Sequence, residues 1–255
     1  MPDAAQPPAT PTLTEVRARV ADVEGWLSDD QIQALHEAAR ACPPGGRIVE
    51  IGSFRGRSTI VLASSAPADV EIVAIDPHAG NDRGPQEIEG FAAEAETDNE
   101  TFRRNLADAG VADRVRHVRA FSDAAHGEVT DPVDVLFIDG AHRFGPARAD
   151  IRDWGARVAP GGRMLIHDSF SSIGVTLAIL VELLVSPEWR YEGRSQSLTA
   201  YRRTHQSPAA RATSALRQLA ELPWFVRNVV LKVLLASRRK RWAQRLGHDG
   251  ETWPY

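Results

Sequence analysis

The chain has 255 residues, 43% hydrophobic and 25% charged, which suits one large α/β domain with additions. Its net charge of −4 hides an asymmetry: residues 208–255 hold nine Lys and Arg against three Asp and Glu, so the tail is basic and the remainder strongly acidic. An acidic body excludes a nucleic-acid surface, the lone Cys42 excludes an internal disulfide or a cysteine metal cluster, and no run of about 18 apolar residues is present to span a bilayer.

In chain order, residues 1–12, "MPDAAQPPATPT", lack a basic start and an apolar run and read as a disordered leader; the simplest compartment is the cytoplasm. Residues 13–42 read as helical, with Ser28 and Gln31 spaced as a capping box and Cys42 as a small packed residue. "RIVEIG" is a buried parallel strand, followed by the helix "RSTIVLASSA". "VEIVAIDPH" is a second strand, "NETFRRNLADAG" a helix with Gly110 at its C-cap, "VRHVRAFS" a third strand and "VDVLFIDGAH" a fourth. The acidic stretch 87–100 reads as a loop or short helix over the sheet. "GPARADIRDWGARVAPGG" is a helix stopped by Ala-Pro-Gly-Gly, "RMLIHDSF" a fifth strand and "IGVTLAILVELLVS" a helix. "WRYEGRSQSLTAYRR" is a pair of strands around a Gly-Arg-Ser turn. This order predicts a doubly wound, mainly parallel seven-stranded sheet with a closing antiparallel hairpin, a domain over 13–207 and a helical tail over 208–255.

Polar residues collect at the strand ends: Glu50, Gly52 and Gly56, then Asp76, Ser122, Asp139 with His142, and His167 with Asp168. That is the edge where open α/β sheets bind ligands. The turn "EIGSFRGRS" lacks the glycine spacing and lysine of a P-loop, and Phe54 stands where a dinucleotide turn needs glycine. A carboxylate at Glu50 would repel phosphate and suit a cationic ligand, with Gly56 letting the helix start approach it. Asp76 is spaced to accept ribose hydroxyls. A ligand with a ribose, a positive charge and no phosphate is S-adenosylmethionine.

The segments "VEIGSFRGRSTIVLA", "AIDPH", "FIDGAH" and "VAPGGRMLIHD" together resemble the class I S-adenosylmethionine-dependent methyltransferases, and among them the bacterial branch acting on sugar, glycan or antibiotic hydroxyls. The resemblance implies that Glu50, Gly52, Ser53 and Gly56 line the methionine end of the cofactor, that Asp76 holds the ribose and that Ser122 lies near the adenine. Phe121 occupies the place where the family often has an acid, and core packing is the other role open to it.

Methyl transfer to a hydroxyl needs help with the departing proton, from a general base or from a divalent cation that lowers the hydroxyl pKa. His142, three residues after Asp139, is of the residue type most often used as a general base near neutral pH. Asp139 is also open to contacting the cofactor. In the metal-dependent sugar O-methyltransferases that the chain resembles, the Asp equivalent to Asp139 binds Mg²⁺ and two acids follow strand five. Here that pair is His167-Asp168, so a cation held by Asp139, His167 and Asp168 would have one imidazole among its ligands. His78 either contacts substrate or shapes its turn, and Asp150 and Asp153 read as bracing their own helix, away from the site.

These residues predict an enzyme, a methyltransferase acting on a hydroxyl of a sugar, glycan or glycosylated metabolite. A metal-independent methyltransferase and a non-catalytic S-adenosylmethionine-binding module are the alternatives. In the tail, Arg227, Asn228, Lys232, Arg238 and Arg239 fall in an arc of about 140° at helical spacing, opposite an apolar remainder. Three fates are open to the 224–242 segment: packing on the domain, pairing with a second subunit in a homo-oligomer, or lying on an anionic membrane surface.

Overall fold

The computed structural model describes residues 11–79, 91–129, 132–245 and 247; most of the leader and residues 87–90 of the acidic stretch lie outside this set. Helix α1 (Leu13–Arg19) starts at Thr12 and α2 (Asp29–Arg40) at Ser28, each in a capping box, with Glu15 and Gln31 as the reciprocal partners. The helical stretch expected over 13–42 is thus two helices. The break is set by tertiary contact: Arg57 donates to the Val23 carbonyl at 2.5 Å, and a Cβ on Gly25 would lie 3.0 Å from the Arg57 side chain.

The sheet has strands β1 (Arg47–Ile51), β2 (Glu71–Ile75), β3 (Val115–Val118), β4 (Val133–Ile138), β5 (Val158–Ile166), β6 (Trp189–Ser195) and β7 (Leu198–Arg203). Their order is β3-β2-β1-β4-β5-β7-β6, parallel through β5, with β7 antiparallel to β5 and to β6. This is the doubly wound sheet and closing hairpin that the alternation of elements predicts. The connecting helices are α3 (Arg57–Ser65), α4 (Phe91–Asp108), α5 (Phe144–Ala149) and α6 (Ile173–Glu182); α7 (Pro208–Leu219), α8 (Leu222–Ala236) and α9 (Lys240–Arg245) form the tail. Residues 91–100 of the acidic stretch belong to α4.

Two boundaries differ from the sequence reading. Ala159-Pro160-Gly161-Gly162 does not stop a helix but lies inside β5, whose Val158 already pairs with Val133 before the register shifts. The helix ends earlier, through a π turn at Asp150–Trp154 and a 3₁₀ turn at Gly155–Arg157. The hairpin turns at Gln196 and Ser197, with Gln196 at φ 52°, while Gly193 sits within β6 beside a register shift.

Side chains alternating along the strands feed two cores, one on each face of the sheet. Ile48 packs with α1 to α4, and Val49 and Ile51 pack with α5 and α6. Trp224 and Phe225 of α8 add to the second core, so the front of the tail packs on the domain. Cys42 is buried in the first core, and burial pushes its thiol up to about 12.

Glu50 breaks the apolar pattern of β1. It is fully buried and points at α3, where the Ser58 and Thr59 hydroxyls donate to its two oxygens, the latter at 2.5 Å. Burial pushes its carboxyl up to about 8 against the pull of those two hydrogen bonds, and the charges of Asp139 and Asp76 add to the rise. The repulsion of phosphate expected from Glu50 is correspondingly weak at neutral pH. A carboxyl in the unfolded chain titrates near 4.5, so the folded state holds this proton more tightly. Its contribution to stability is therefore full below that value and is lost as pH rises toward about 8. Glu50→Gln keeps a neutral amide in place at every pH. Its melting temperature, read by scanning calorimetry, should decline less than the parent's between about pH 5 and about pH 8; parallel slopes would show that Glu50 is ionised throughout.

Candidate active site

Four strands end on isoleucine, and the next residue of each is tied to a neighbouring strand by one further rung of backbone hydrogen bonding. Gly52 N–H donates to Ile75, Asp76 to Val118, Asp139 to Ile51 and His167 to Ile138, at 2.8–3.1 Å. Gly52, Asp76, Asp139 and His167 thereby stand in a row along the carboxyl edge. The order of strands reverses between β1 and β4, so Gly52 and Asp139 flank the switch point where ligands bind in such sheets.

The turn after β1 is built for close backbone approach. Gly52 has φ 85°, and a Cβ there would fall 2.3 Å from the Asp139 carbonyl oxygen. Asp76 Oδ2 accepts from the Ser53 and Phe54 amides, both at 2.8 Å, and Oδ1 accepts from the His78 amide at 2.7 Å. One lone-pair direction of this partly exposed carboxylate is left for a ribose hydroxyl. The Ser53 hydroxyl is buried beside the same turn with no hydrogen-bond partner. These groups fit the ribose and amino-acid ends of S-adenosylmethionine. Gly56, at φ 88°, owes its lack of a side chain to α4: a Cβ would meet Leu106 at 2.7 Å and Phe102 at 3.1 Å. Helix packing is thus a second reason for a glycine here, beside the ligand approach expected from the sequence.

Beyond the end of β3, Ser122 donates to Asp150 Oδ1 at 2.5 Å. Asp150 is buried, and burial pushes its carboxyl up to about 6. Asp150 therefore braces the loop that carries Ser122, not only its own helix as the sequence indicated. Phe121 does not pack in the core; it is 62% exposed. His78 is buried against the rings of Phe102 and His117, with centroids 5.4 and 5.0 Å away. It shapes its turn instead of facing a substrate.

At the ends of β4 and β5 four ionisable side chains converge. His142 Nε2 lies 2.5 Å from Asp168 Oδ2, and His167 Nδ1 lies 3.0 Å from Asp139 Oδ1 and 3.7 Å from Asp168 Oδ2. Burial works against charge on His167, but the two carboxylates overcome it and hold the imidazole up at about 10. Burial likewise opposes ionisation of Asp168, yet the charge of His167 and the contacts with both histidines keep its carboxyl well below the usual range. The contacts are close but poorly aligned. Asp139 Oδ1, His142 Nε2 and Asp168 Oδ1 are all buried without a hydrogen bond of good geometry.

Donor atoms of Asp139, His142 and Asp168 lie within 4.8 Å of one another, and Asp139, His142 and His167 line a cavity of about 10 Å³. That is room for one atom-sized guest. The convergent set has His142 in place of the His167 implied by the resemblance, because His167 is turned between the two carboxylates as their counter-ion.

Three supporting residues carry no sequence signal of their role. A Cβ on Gly174 would fall 2.2 Å from the His142 carbonyl oxygen, and Ser172 Oγ donates to that same oxygen at 3.3 Å, so the start of α6 seats the His142 loop. Lys232 of the tail donates to the Ser171 carbonyl and hydroxyl, both at 3.0 Å, within charge reach of Asp168. A glycine at the second position of an apolar helix and a lysine far down the chain would need the tertiary structure to be recognised.

Residues 49–169 match the family described as "Methyltransferase domain", a span that runs from β1 past Asp168 and takes in the whole edge just described. Among solved structures, cofactor-bound Rv0187 from MTB is 21% identical, with 76% of this chain and 90% of that one covered at a TM-score of 0.53. The O-methyltransferase TomG from Streptomyces achromogenes, solved with SAM, is 21% identical, with coverage of 75% and 89% and a TM-score of 0.50. The O-methyltransferase NovP is 18% identical, with coverage of 75% and 88% and a TM-score of 0.56. At such identities the likeness is one of fold. Fold, edge and family match agree: residues 49–169 match a methyltransferase domain, and the chain resembles the class I S-adenosylmethionine-dependent methyltransferases of the O-methyltransferase branch.

Proposed function

We propose that this enzyme methylates a hydroxyl of a sugar, glycan or glycosylated small molecule, with His142 as the general base. The observation that carries the reading is the contact of His142 with ionised Asp168 at the edge of the sheet, beside the turn at Gly52. Such a contact orients an imidazole and stabilises the charge it gains, which an oxygen acceptor needs and a thiol or amine needs far less. The likeness to the O-methyltransferases TomG and NovP supports oxygen as the acceptor atom. The sugar class rests on the resemblance of the sequence segments.

Bound S-adenosylmethionine supplies a methyl group on a sulfonium, which leaves as a neutral thioether. The chain's own residues do the rest. Gly52, Ser53 and Asp76 hold the ligand at the switch point. With Nε2 turned to Asp168, a neutral His142 keeps its proton on that nitrogen and has Nδ1 as the acceptor. As the bond from acceptor oxygen to methyl carbon forms, the hydroxyl proton passes to Nδ1. The resulting imidazolium is then stabilised by the Asp168 carboxylate. Positively charged His167 offsets part of the negative charge of Asp139 and Asp168, which keeps the cluster from repelling a forming alkoxide.

A second reading is favoured by the unpartnered atoms of Asp139, His142 and Asp168 and by the small cavity beside them. They fit a divalent cation, with two carboxylates and one imidazole better matched to manganese or zinc than to magnesium. A cation there would lower the pKa of the acceptor hydroxyl.

The enzyme reading is tested first by calorimetric titration with S-adenosylhomocysteine, NAD⁺ and ATP in parallel: the first should bind and the others should not. His142→Ala should then lower kcat by about 10²- to 10⁴-fold while S-adenosylhomocysteine affinity stays unchanged. An equal loss of affinity would make His142 a cofactor-site residue instead. The two readings part on EDTA. Turnover that survives it supports proton transfer by the His142–Asp168 pair alone. Turnover that is lost and restored by Mn²⁺, with Mn²⁺ binding seen by calorimetry and abolished in Asp139→Asn, supports the cation.

A further inference from the structure

Helix α8 packs on the domain through Leu231, which is fully buried, and through Trp224 and Phe225. Asn228, on the same side, is buried and donates to the Phe170 carbonyl at 3.4 Å, and Lys232 donates to Ser171. The opposite face consists of valines: Val226, Val230 and Val233, at i, i+4 and i+7, are 57%, 40% and 61% exposed. A helix that only covers its own domain leaves polar residues on its outer face. This one offers aliphatic side chains there.

Helix α6 continues the face. Ile173, Leu177 and Val181 recur every fourth residue and are 58%, 45% and 55% exposed, and Val185 follows at 64%. The two helices cover the same side of the sheet. Lys232 of α8 reaches Ser171 just before α6 begins, and Gln218 of α7 reaches the Leu183 and Leu184 carbonyls just after it ends. Single exposed aliphatic residues need no explanation, but two helical stripes of them on one side of the sheet do.

The chemistry of the segment that follows α8 identifies the occupant. Where α8 ends, Arg238, Arg239 and Arg241 are exposed, and so is Trp242, with the Arg245 guanidinium 4.8 Å from its ring. Two copies meeting about a two-fold axis through this face would bring like charges toward each other. Exposed aliphatic side chains followed directly in the chain by exposed arginines and a tryptophan match the interfacial layer of an anionic bilayer, with acyl chains for the valines and headgroup phosphates for the guanidiniums. We propose that α6, α8 and α9 form a docking surface for anionic lipid, which places this methyltransferase on a membrane surface as a peripheral protein. No helix among the described residues is long and apolar enough to cross a membrane, so docking would be on the surface. The inference rests on surface chemistry and stands apart from the identity of the methyl acceptor.

The test is flotation of the full chain with vesicles of phosphatidylglycerol and phosphatidylcholine in equal parts, against pure phosphatidylcholine. The parent should float with the anionic vesicles and not with the neutral ones, and high salt should release it. Replacing Arg238, Arg239 and Arg241 by serine should weaken binding by about a hundredfold, near fivefold for each charge. Val226→Ser, Val230→Ser and Val233→Ser together should also release the protein, with an unchanged melting temperature because these side chains are exposed. Leu177→Ser with Val181→Ser on α6 provides an independent variant of the same face. The proposal is overturned if the parent ignores anionic vesicles, or binds neutral ones equally. It is overturned too if ultracentrifugation shows that the valine replacements dissociate a dimer, which would make the face a contact between subunits.

Discussion

The site depends on one extra rung of hydrogen bonding past the end of each central strand. Ile51, Ile75 and Ile138 accept from the first residues beyond neighbouring strands, and those residues are Asp139, Gly52 and His167. Because the strands are parallel and in register, these bonds bring side chains from distant parts of the sequence to one level. Gly52 is the member that admits no substitute. Its backbone lies so close to Asp139 that a methyl group would overlap the carbonyl oxygen. The turn proposed to hold the cofactor and the strand end that begins the ionisable cluster are thereby fixed to each other, and chemistry at a methyl carbon would need that fixed separation.

Holding polar groups at this edge has a conformational cost. Phe54, His78 and Asp168 occupy the left-handed region, at φ 45°, 44° and 55°, where a side chain costs about 1 kcal/mol or more each. All three stand within three residues of the end of a strand that contributes to the site. At Phe54 and His78 the compensation is visible: both amides point at the Asp76 carboxylate, which draws the turn after β1 and the turn after β2 onto one group. A ribose approaching Asp76 meets a carboxylate already fixed by three amides, so little ordering remains to be done on binding.

The sheet was legible in the sequence because central parallel strands are buried on both faces and read as apolar runs, and each run here ends at Gly, Asp or His. The site residues could be placed for the same reason, since a polar residue directly after such a run must lie at the carboxyl edge. What escaped was set by contacts between distant segments. The break in the helical stretch expected over 13–42 is one such case, since Arg57 of α3 packs against Gly25. Ala159-Pro160-Gly161-Gly162 has the composition of a stop signal, yet the neighbouring β4 draws it into the sheet. The roles of the two site histidines were the hardest to apportion. Spacing puts His142 and His167 near the same acids, but only the orientation of the rings shows that His167 lies between two carboxylates while His142 faces one.

The packing of α8 follows from the same local demands. Asp168 and Phe170 are both in the left-handed region, so the segment after β5 cannot pair its carbonyls as a regular turn of helix would. The Ser171 and Ser172 amides fold back onto the Asp168 carbonyl, which leaves the Phe170 and Ser171 carbonyls facing outward. Buried carbonyls need donors. Asn228 and Lys232 supply them, and they can do so only if their side of α8 turns toward the domain. Leu231, fully buried on the same side, turns inward with them, and the valines on the opposite side are left outward. A surface that water alone would disfavour is thus the consequence of stabilising the reactive edge, and it becomes tolerable once an apolar phase covers it.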